Sequence, residues 1–362
     1  MTSLRTPLCD ALGIKYPIML AGMGSVANAD LTAAVSNAGG LGVIGGTAWA
    51  PEDLDKEIRR TRELTDKPFG VDLLVPTNTL GTESEVQLPD PLPESVQQIL
   101  NTAYRDLGMP GRQKPKRRPT TVQLAREQMQ VILENKVPIF ASGLGLSEWV
   151  VDLCKPAGVK IISLVGKVRN AKRVEALGAD IIVAQGHEAG GHTGKVATLV
   201  IVPDVVDAVK VPVVAAGGIA DGRAIVACLA LGAQAVWIGT RFMASVEATV
   251  TPKAKEALLA AQTDDAVVSK TYSGKTSRRL RNKLIDLYES SGAPIYPMPL
   301  QGHLVIDIQE RAEELQDLRY LSVPGGQNVS RIQSIKPAAE IMADLVNEAE
   351  QVLERLQRVG VT

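Results

Sequence analysis

Between Tyr16 and Met243 a short apolar run recurs eight times, in most cases ending at or next to glycine: Tyr16–Met23, Leu41–Gly46, Pro68–Val75, Pro138–Gly145, Lys160–Gly166, Asp180–Gln185, Val211–Gly218 and Ala235–Met243. Runs that are apolar throughout, rather than alternating, mark strands buried on both faces. Helical patterns separate most of them: Leu31–Asn37, Pro51–Leu64, Val122–Glu134, Ser147–Cys154, Val168–Leu177, Val202–Ala208 and Asp221–Leu231. Alternation of this kind predicts a parallel sheet with helices outside. Eight units with glycine at their exits favour an α/β fold of the closed (β/α)8 type, a TIM barrel, over an open doubly wound sheet. No Gly-x-Gly-x-x-Gly fingerprint follows the first strand, which argues against a Rossmann dinucleotide site.

Two stretches break the period. Residues 76–119 are rich in Pro, Gly, Thr and charge, with a basic run at Gln113–Arg118 and a helical pattern at Ser95–Leu107; they read as an insertion after strand three. Residues 246–321 read as polar and helical, with a basic cluster at Ser277–Lys283. Following the last strand, they are placed to cover the site as a helical lid. The expected division is therefore a barrel of 1–245 plus 322–362 and a covering subdomain of 246–321. Ala338–Leu356 is a final amphipathic helix expected to pack on the barrel.

Composition excludes several classes. The formal net charge is −1 and aromatics are 3% of residues, so neither a nucleic acid nor an anionic membrane is the expected partner. No apolar run reaches membrane-spanning length, and the N-terminal residues lack a signal-peptide core. Cys9, Cys154 and Cys228 are far apart and odd in number, as expected of reduced, buried thiols in a cytoplasmic protein. No three ligands have metal-site spacing, so no metal is expected. No Gly-x-Ser-x-Gly elbow is present. A homo-oligomer is compatible with all of this.

The chemistry is expected in Gln185–Gly194, which reads Gln-Gly-His-Glu-Ala-Gly-Gly-His-Thr-Gly. Its glycines let the backbone approach a ligand closely. His192, behind Gly190 and Gly191, could aim into the barrel mouth as a proton donor or acceptor, or be a hydrogen-bonded structural histidine. His187 reads better as a helix-face residue and His303 as structural. Asp72, among apolar neighbours at a strand end, could be a cap, an ion-pair partner or a flavin contact. Gly217-Gly218 and Gly239-Thr240 follow strands seven and eight, where such barrels hold a phosphate on backbone N–H groups. A phosphorylated cofactor or substrate is implied, with simple tight turns as the alternative.

Tyr-Pro-Ile-Met-Leu-Ala-Gly-Met at 16–23, the 185–194 loop, Ala-Ala-Gly-Gly-Ile-Ala-Asp-Gly-Arg at 215–223 and Ile-Gly-Thr-Arg-Phe at 238–242 together resemble the nitronate monooxygenase family, formerly called 2-nitropropane dioxygenases. The resemblance extends to Pro337–Ile341. It implies non-covalently bound FMN on a TIM barrel. Carried over, Ala21, Gly22 and Met23 would line the flavin ring; Asp72 stands where relatives often have Asn. Gln185 and Gly186 would touch the ring or ribityl chain, with Gly190 and Gly191 counted among the cofactor contacts. Gly217, Gly218, Gly239 and Thr240 would hold the phosphate. His192 matches the family's active-site histidine. The implied reaction is oxidation of an alkyl nitronate, or a nitroalkane, by O2 to a carbonyl compound and nitrite. Related flavin enoyl-acyl-carrier-protein reductases and NADH:quinone reductases carry a similar loop, so an NAD(P)H-dependent FMN reductase is the alternative. A flavin-free phosphate-binding barrel would need a Lys or carboxylate at a strand end; Lys167 follows strand five without a partner.

Overall fold

The structure, a computed structural model, describes residues 4–75 and 87–360. Of the expected insertion at 76–119, residues 76–86 lie outside the described residues. The strands in chain order are β1 (Ile18–Leu20), β2 (Gly42–Gly45), β3 (Phe69–Leu74), β4 (Ile139–Gly143), β5 (Lys160–Val165), β6 (Ile181–Gln185), β7 (Gly191–His192), β8 (Val213–Ala216), β9 (Ala235–Ile238), β10 (Ala266–Ser269) and β11 (Ser277–Leu280). Eight of them form one parallel sheet in the order β1-β9-β8-β6-β5-β4-β3-β2. A parallel bridge between Met19 and Leu41 joins its two ends, so the expected barrel closes.

Period-two alternation sorts each strand between two cores. One set faces the lumen: Met19, Val43, Ala141, Ile162, Val183, Val214 and Trp237, plugged from below by Leu8, Cys9 and Leu12 of the short helix Pro7–Leu12. The neighbouring residues, such as Ile18, Ile44, Val71, Phe140, Ile182 and Val236, pack against the outer helices. That is why the strands read as apolar throughout. The same alternation turns Asp72 in β3 and Gln185 in β6 toward the axis, at the carboxyl end of the barrel.

Most helices lie where their patterns placed them, and Pro51–Leu64, Val122–Glu134 and Val168–Leu177 agree to the residue. Asn28 accepts the Leu31 N–H at 2.9 Å and caps Ala29–Asn37. Ser147, expected to cap, makes no side-chain cap bond to Glu148–Cys154. The helix expected at Val202–Ala208 starts four residues earlier, at Thr198–Val206. Its start is set by a distant side chain: Glu188 accepts the Thr198 N–H at 2.9 Å. The eighth strand is shorter than its apolar run, because Thr240–Met243 forms a helical turn. The final helix, Ala338–Arg358, packs on helices Gly222–Ala230 and Ala29–Asn37.

A second hydrophobic cluster lies outside the barrel's own. It joins Ile99, Leu100 and Tyr104 of the helix Glu94–Asp106 to Leu258, Leu284, Ile285, Leu304 and Ile308. Its helices are Pro252–Ala260, Lys283–Ser291 and Leu300–Leu315. Residues 246–321 are not helical throughout: β10 and β11 form an antiparallel hairpin, and β11 pairs with β7. The basic Ser277–Lys283 cluster is therefore mostly strand. Among the described residues no helix is long and apolar enough to cross a membrane. The three cysteines are buried and unpaired.

Candidate active site

A cavity of about 950 Å³ opens at the carboxyl ends of the barrel strands. Trp237, Ala216, Leu164 and Asp72 reach it from the barrel. Ala21, Gly22 and Met23 line it after β1, Gln185, Gly190, Gly191 and His192 around the β6 loop, Gly217 and Gly218 after β8, and Gly239 and Thr240 after β9. Gly186, alone among the expected site residues, does not line it. Its N–H donates to Ala216 O at 2.8 Å, and a Cβ there would lie 1.9 Å from Thr198 Oγ1. Its role is close packing of the loop onto the Thr198 helix.

The turn after β8 demands glycine for a different reason. Gly217 and Gly218 have φ of +103° and +72°, the left-handed region that side chains resist. Thr240 Oγ1 accepts the Gly326 N–H at 3.0 Å, which brings the Gly325-Gly326 loop onto the same wall.

Asp72 is 6% exposed, and among the described residues its Oδ1 has no hydrogen-bond partner and no Lys or Arg pairs with it. Gly22 covers it so closely that a Cβ would sit 2.1 Å from Asp72 Cβ. Burial pushes the carboxyl well above its ordinary range, and only the backbone of Gly143 opposes that shift. An orphaned polar atom at the edge of a cavity calls for a polar ligand. The cavity volume falls within the roughly 300–1,000 Å³ usual for cofactor and ligand sites. A flavin with its phosphate on the glycine turns fits both observations.

His192 sits in the two-residue strand β7. Its backbone carbonyl accepts from Gln185 Nε2 at 2.5 Å, and its Nε2 lies 3.0 Å from Ser273 Oγ. Burial, then the nearby Arg279 and Lys275 cations, push its pKa down to about 4. The imidazole is neutral at pH 7. His187 is committed elsewhere. Arg278 Nη2 lies 2.8 Å from its Nε2, and a guanidinium only donates, so Nε2 accepts and Nδ1 carries the proton. That Nδ1 donates to Gly194 O at 2.8 Å. His303 does not line the cavity.

With this geometry in hand, likeness to known proteins can be weighed. The family model described as nitronate monooxygenase matches residues 5–348. The chain belongs to the nitronate monooxygenase family. It is 33% identical to a probable nitronate monooxygenase of Staphylococcus aureus (strain Newman), over 97% of this chain and 99% of that one. Among solved structures, nitroalkane oxidase from Streptomyces ansochromogenes matches with TM-score 0.85 and 28% identity, over 96% and 99% of the two chains. FabK from Thermotoga maritima matches with TM-score 0.79 and 34% identity, over 98% and 99%. Membership makes the chain a flavin-dependent oxidoreductase.

The glycine motifs line the barrel side of the cavity and His192 pairs with the hairpin; the lining also contains residues that the sequence reading missed. Lys275, Thr276, Ser277 and Arg279 come from the hairpin, Gly143–Leu146 from the turn after β4, and Asn170 and Arg173 from the helix after β5. The hairpin left no local signal: Ser-Arg-Arg-Leu reads as a basic cluster and is a strand only through its pairing with β10 and β7.

Proposed function

We propose that the chain binds FMN in this cavity and oxidises alkyl nitronates with O2 to carbonyl compounds and nitrite. The observation that carries this reading is a neutral imidazole, His192, lining the same cavity as the glycine turns after β8 and β9. When bound, FMN supplies the electron-transfer chemistry between substrate and O2. The backbone at Gly217, Gly218, Gly239 and Thr240 holds its phosphate. Ala21, Gly22, Met23, Asp72 and Gln185 border its ring, with Gly190 and Gly191 admitting it closely. Residues 246–321 form a covering subdomain over a barrel of 1–245 plus 322–362; the separate hydrophobic cluster supports such a subdomain but draws the helix Glu94–Asp106 into it as well.

His192 orients the substrate from the hairpin side, its ring held through Ser273. With a pKa near 4 it is a weak base, poorly matched to removing a proton from carbon at pH 7. The ionised nitronate, which needs no deprotonation, is therefore the favoured form of substrate over the neutral nitroalkane.

Purified protein should be yellow and release FMN on denaturation. His192→Asn should cut nitronate turnover by roughly 10²-fold or more while FMN stays bound. Unchanged turnover would leave the histidine a structural role, and a colourless protein that cannot be reconstituted would remove the scheme.

The likeness to FabK favours a second reading, an NAD(P)H-dependent FMN reductase of an enoyl thioester or a quinone. Anaerobic mixing separates the two. Rapid bleaching of the flavin by NADH or NADPH supports the reductase, and bleaching by ethyl nitronate supports the monooxygenase.

A further inference from the structure

We infer that Arg279 is the anion-binding residue of the cavity, taking a planar anionic group of the substrate on the sheet face it shares with His192. The inference depends on the nitronate reading only for the identity of that anion.

The register of the small sheet supplies the geometry. Ser277 lies opposite His192, and Arg278 opposite Gly191. Opposed residues of an antiparallel pair share a face, as do residues two apart in one strand. His192, Ser277 and Arg279 therefore project to the same side, and all three line the cavity. Diagonal positions of this kind are about 7–8 Å apart at their backbones, well within reach of an arginine side chain. Arg278 projects to the opposite side, where it holds His187 and donates to Ala266 O at 2.7 Å.

Arg279 is 6% exposed, yet among the described residues no carboxylate pairs with it. Neutral groups fix it instead. Nη1 donates to Ser322 Oγ and Nη2 to Ser277 Oγ, the latter at 2.8 Å. Its guanidinium carbon lies 4.4 Å from the centre of the Tyr272 ring. That ring is itself held, since its hydroxyl donates to Tyr320 O at 2.7 Å and accepts from Asn282. Two hydroxyls and a ring face orient the fork without cancelling its charge, and among the described residues Nε has no partner. A buried charge left unpaired is costly. Arg241, also buried, differs in feeling the charges of Asp344 and Glu348.

Among the described residues the acidic side chains of the cavity do not answer this charge, and the phosphate of the proposed FMN is assigned to the glycine turns after β8 and β9. Its lining holds seven Lys and Arg residues against two acids, Asp72 and Glu313, in a chain whose net charge is −1. Glu313 is taken by Arg117 at 2.6 Å, and burial favours the neutral form of Asp72. Lys275, on the loop between β10 and β11, lines the same cavity and makes no ion pair among the described residues. The field at the mouth thus draws in a small anion, and the preorganised fork of Arg279 binds one with two coplanar oxygens. Both a nitronate end and a carboxylate elsewhere on the substrate have that shape.

The test uses the flavin-loaded protein with sodium nitrate, a planar monoanion that does not turn over. Ring-labelled histidine reports on His192 among only three histidines. In the native protein nitrate should bind and raise the His192 pKa from about 4, since an anion beside an imidazole favours its charged form. Arg279→Gln should weaken nitrate binding about 10- to 100-fold, the loss of one charge-assisted contact, and Arg279→Lys should recover part of it. Equal nitrate affinity in native and folded Arg279→Gln protein overturns the inference. So does a native protein whose His192 signal ignores nitrate, a result that needs no variant to fold. Comparing ethyl nitronate with propionate 3-nitronate separates the sources. If Arg279 holds the nitronate end, KM rises for both in Arg279→Lys; if it holds a carboxylate, only for the second. Nitrate binding without nitronate turnover would sink the monooxygenase reading and leave this one standing.

Discussion

The two walls of the cavity are built from different physics. The barrel wall presents glycine backbone at its turns, several of them at positions where φ or a close approach disfavours a side chain, beside Asp72, Gln185 and Trp237. The hairpin wall is side chain: His192, Ser277 and Arg279 in register on a small sheet, with Arg117 and Lys275 nearby. Backbone walls suit a cofactor that stays in place. Side-chain walls suit a ligand that must be selected and released. The glycine motifs of the family concentrate on the first wall, and its histidine, His192, stands on the second.

The largest effect that would break this contrast concerns Gly186. A methyl group there would sit 1.9 Å from Thr198 Oγ1 and 2.5 Å from the Thr198 backbone nitrogen, and backbone cannot swing aside. Gly186→Ala should cost at least about 3 kcal/mol, the upper part of the usual range for overpacking. Chemical denaturation of the flavin-free protein would show it. A loss of flavin affinity with unchanged stability would instead make Gly186 a ligand contact.

Why was one wall legible and the other not? The strands declared themselves because an apolar run with no alternation has few uses other than a doubly covered strand. The glycine turns followed from strand ends, since parallel topology puts them all at one face. Gly186 shows the limit: the family resemblance implied a flavin contact, but the contact that demands glycine is with Thr198. The Thr198–Val206 helix was misplaced for a related reason, because its first N–H, that of Thr198, is satisfied by Glu188 from another loop. Strand β11, Ser-Arg-Arg-Leu, has no strand signature of its own. It is a strand because it pairs with β10 and β7, contacts that no local pattern encodes.

Asp72 sharpens the contrast, being, among the described residues, the one ionisable side chain that a barrel strand contributes to the cavity. Its folded pKa is raised, so the folded state binds more protons than the unfolded chain above the ordinary value of 3.8. Stability should therefore fall as pH rises from 3.8 through the raised value and level off beyond it. Asp72→Asn lacks that term. The stability of the flavin-free variant minus that of the native protein should grow with pH across this window, while groups common to both cancel. A difference that stays flat from about pH 4 to about pH 9 would mean the carboxyl titrates normally. The cofactor wall would then hold a charge after all.

The smallest effect belongs to the rim of the second wall, where residues of the expected insertion meet the helix Leu300–Leu315. The Lys116 and Arg117 N–H groups donate to Glu310, Arg117 pairs with Glu313, and Lys116 Nζ reaches Glu314 at 2.5 Å. The last of these looks strong by distance, but the two side chains are 75% and 43% exposed. Water competes for both ends, salt screens them, and holding a lysine in one rotamer costs entropy. Glu314 also pairs with Arg311 on its own helix, so removing its charge loosens two weak contacts at once. Glu314→Gln should still lower stability by no more than about 0.5 to 1 kcal/mol, less at high salt. Urea melts at two salt concentrations would read this directly. A loss above about 2 kcal/mol that persists in salt would show that the rim is held as firmly as the barrel, and the division between a fixed cofactor wall and an adjustable substrate wall would fail.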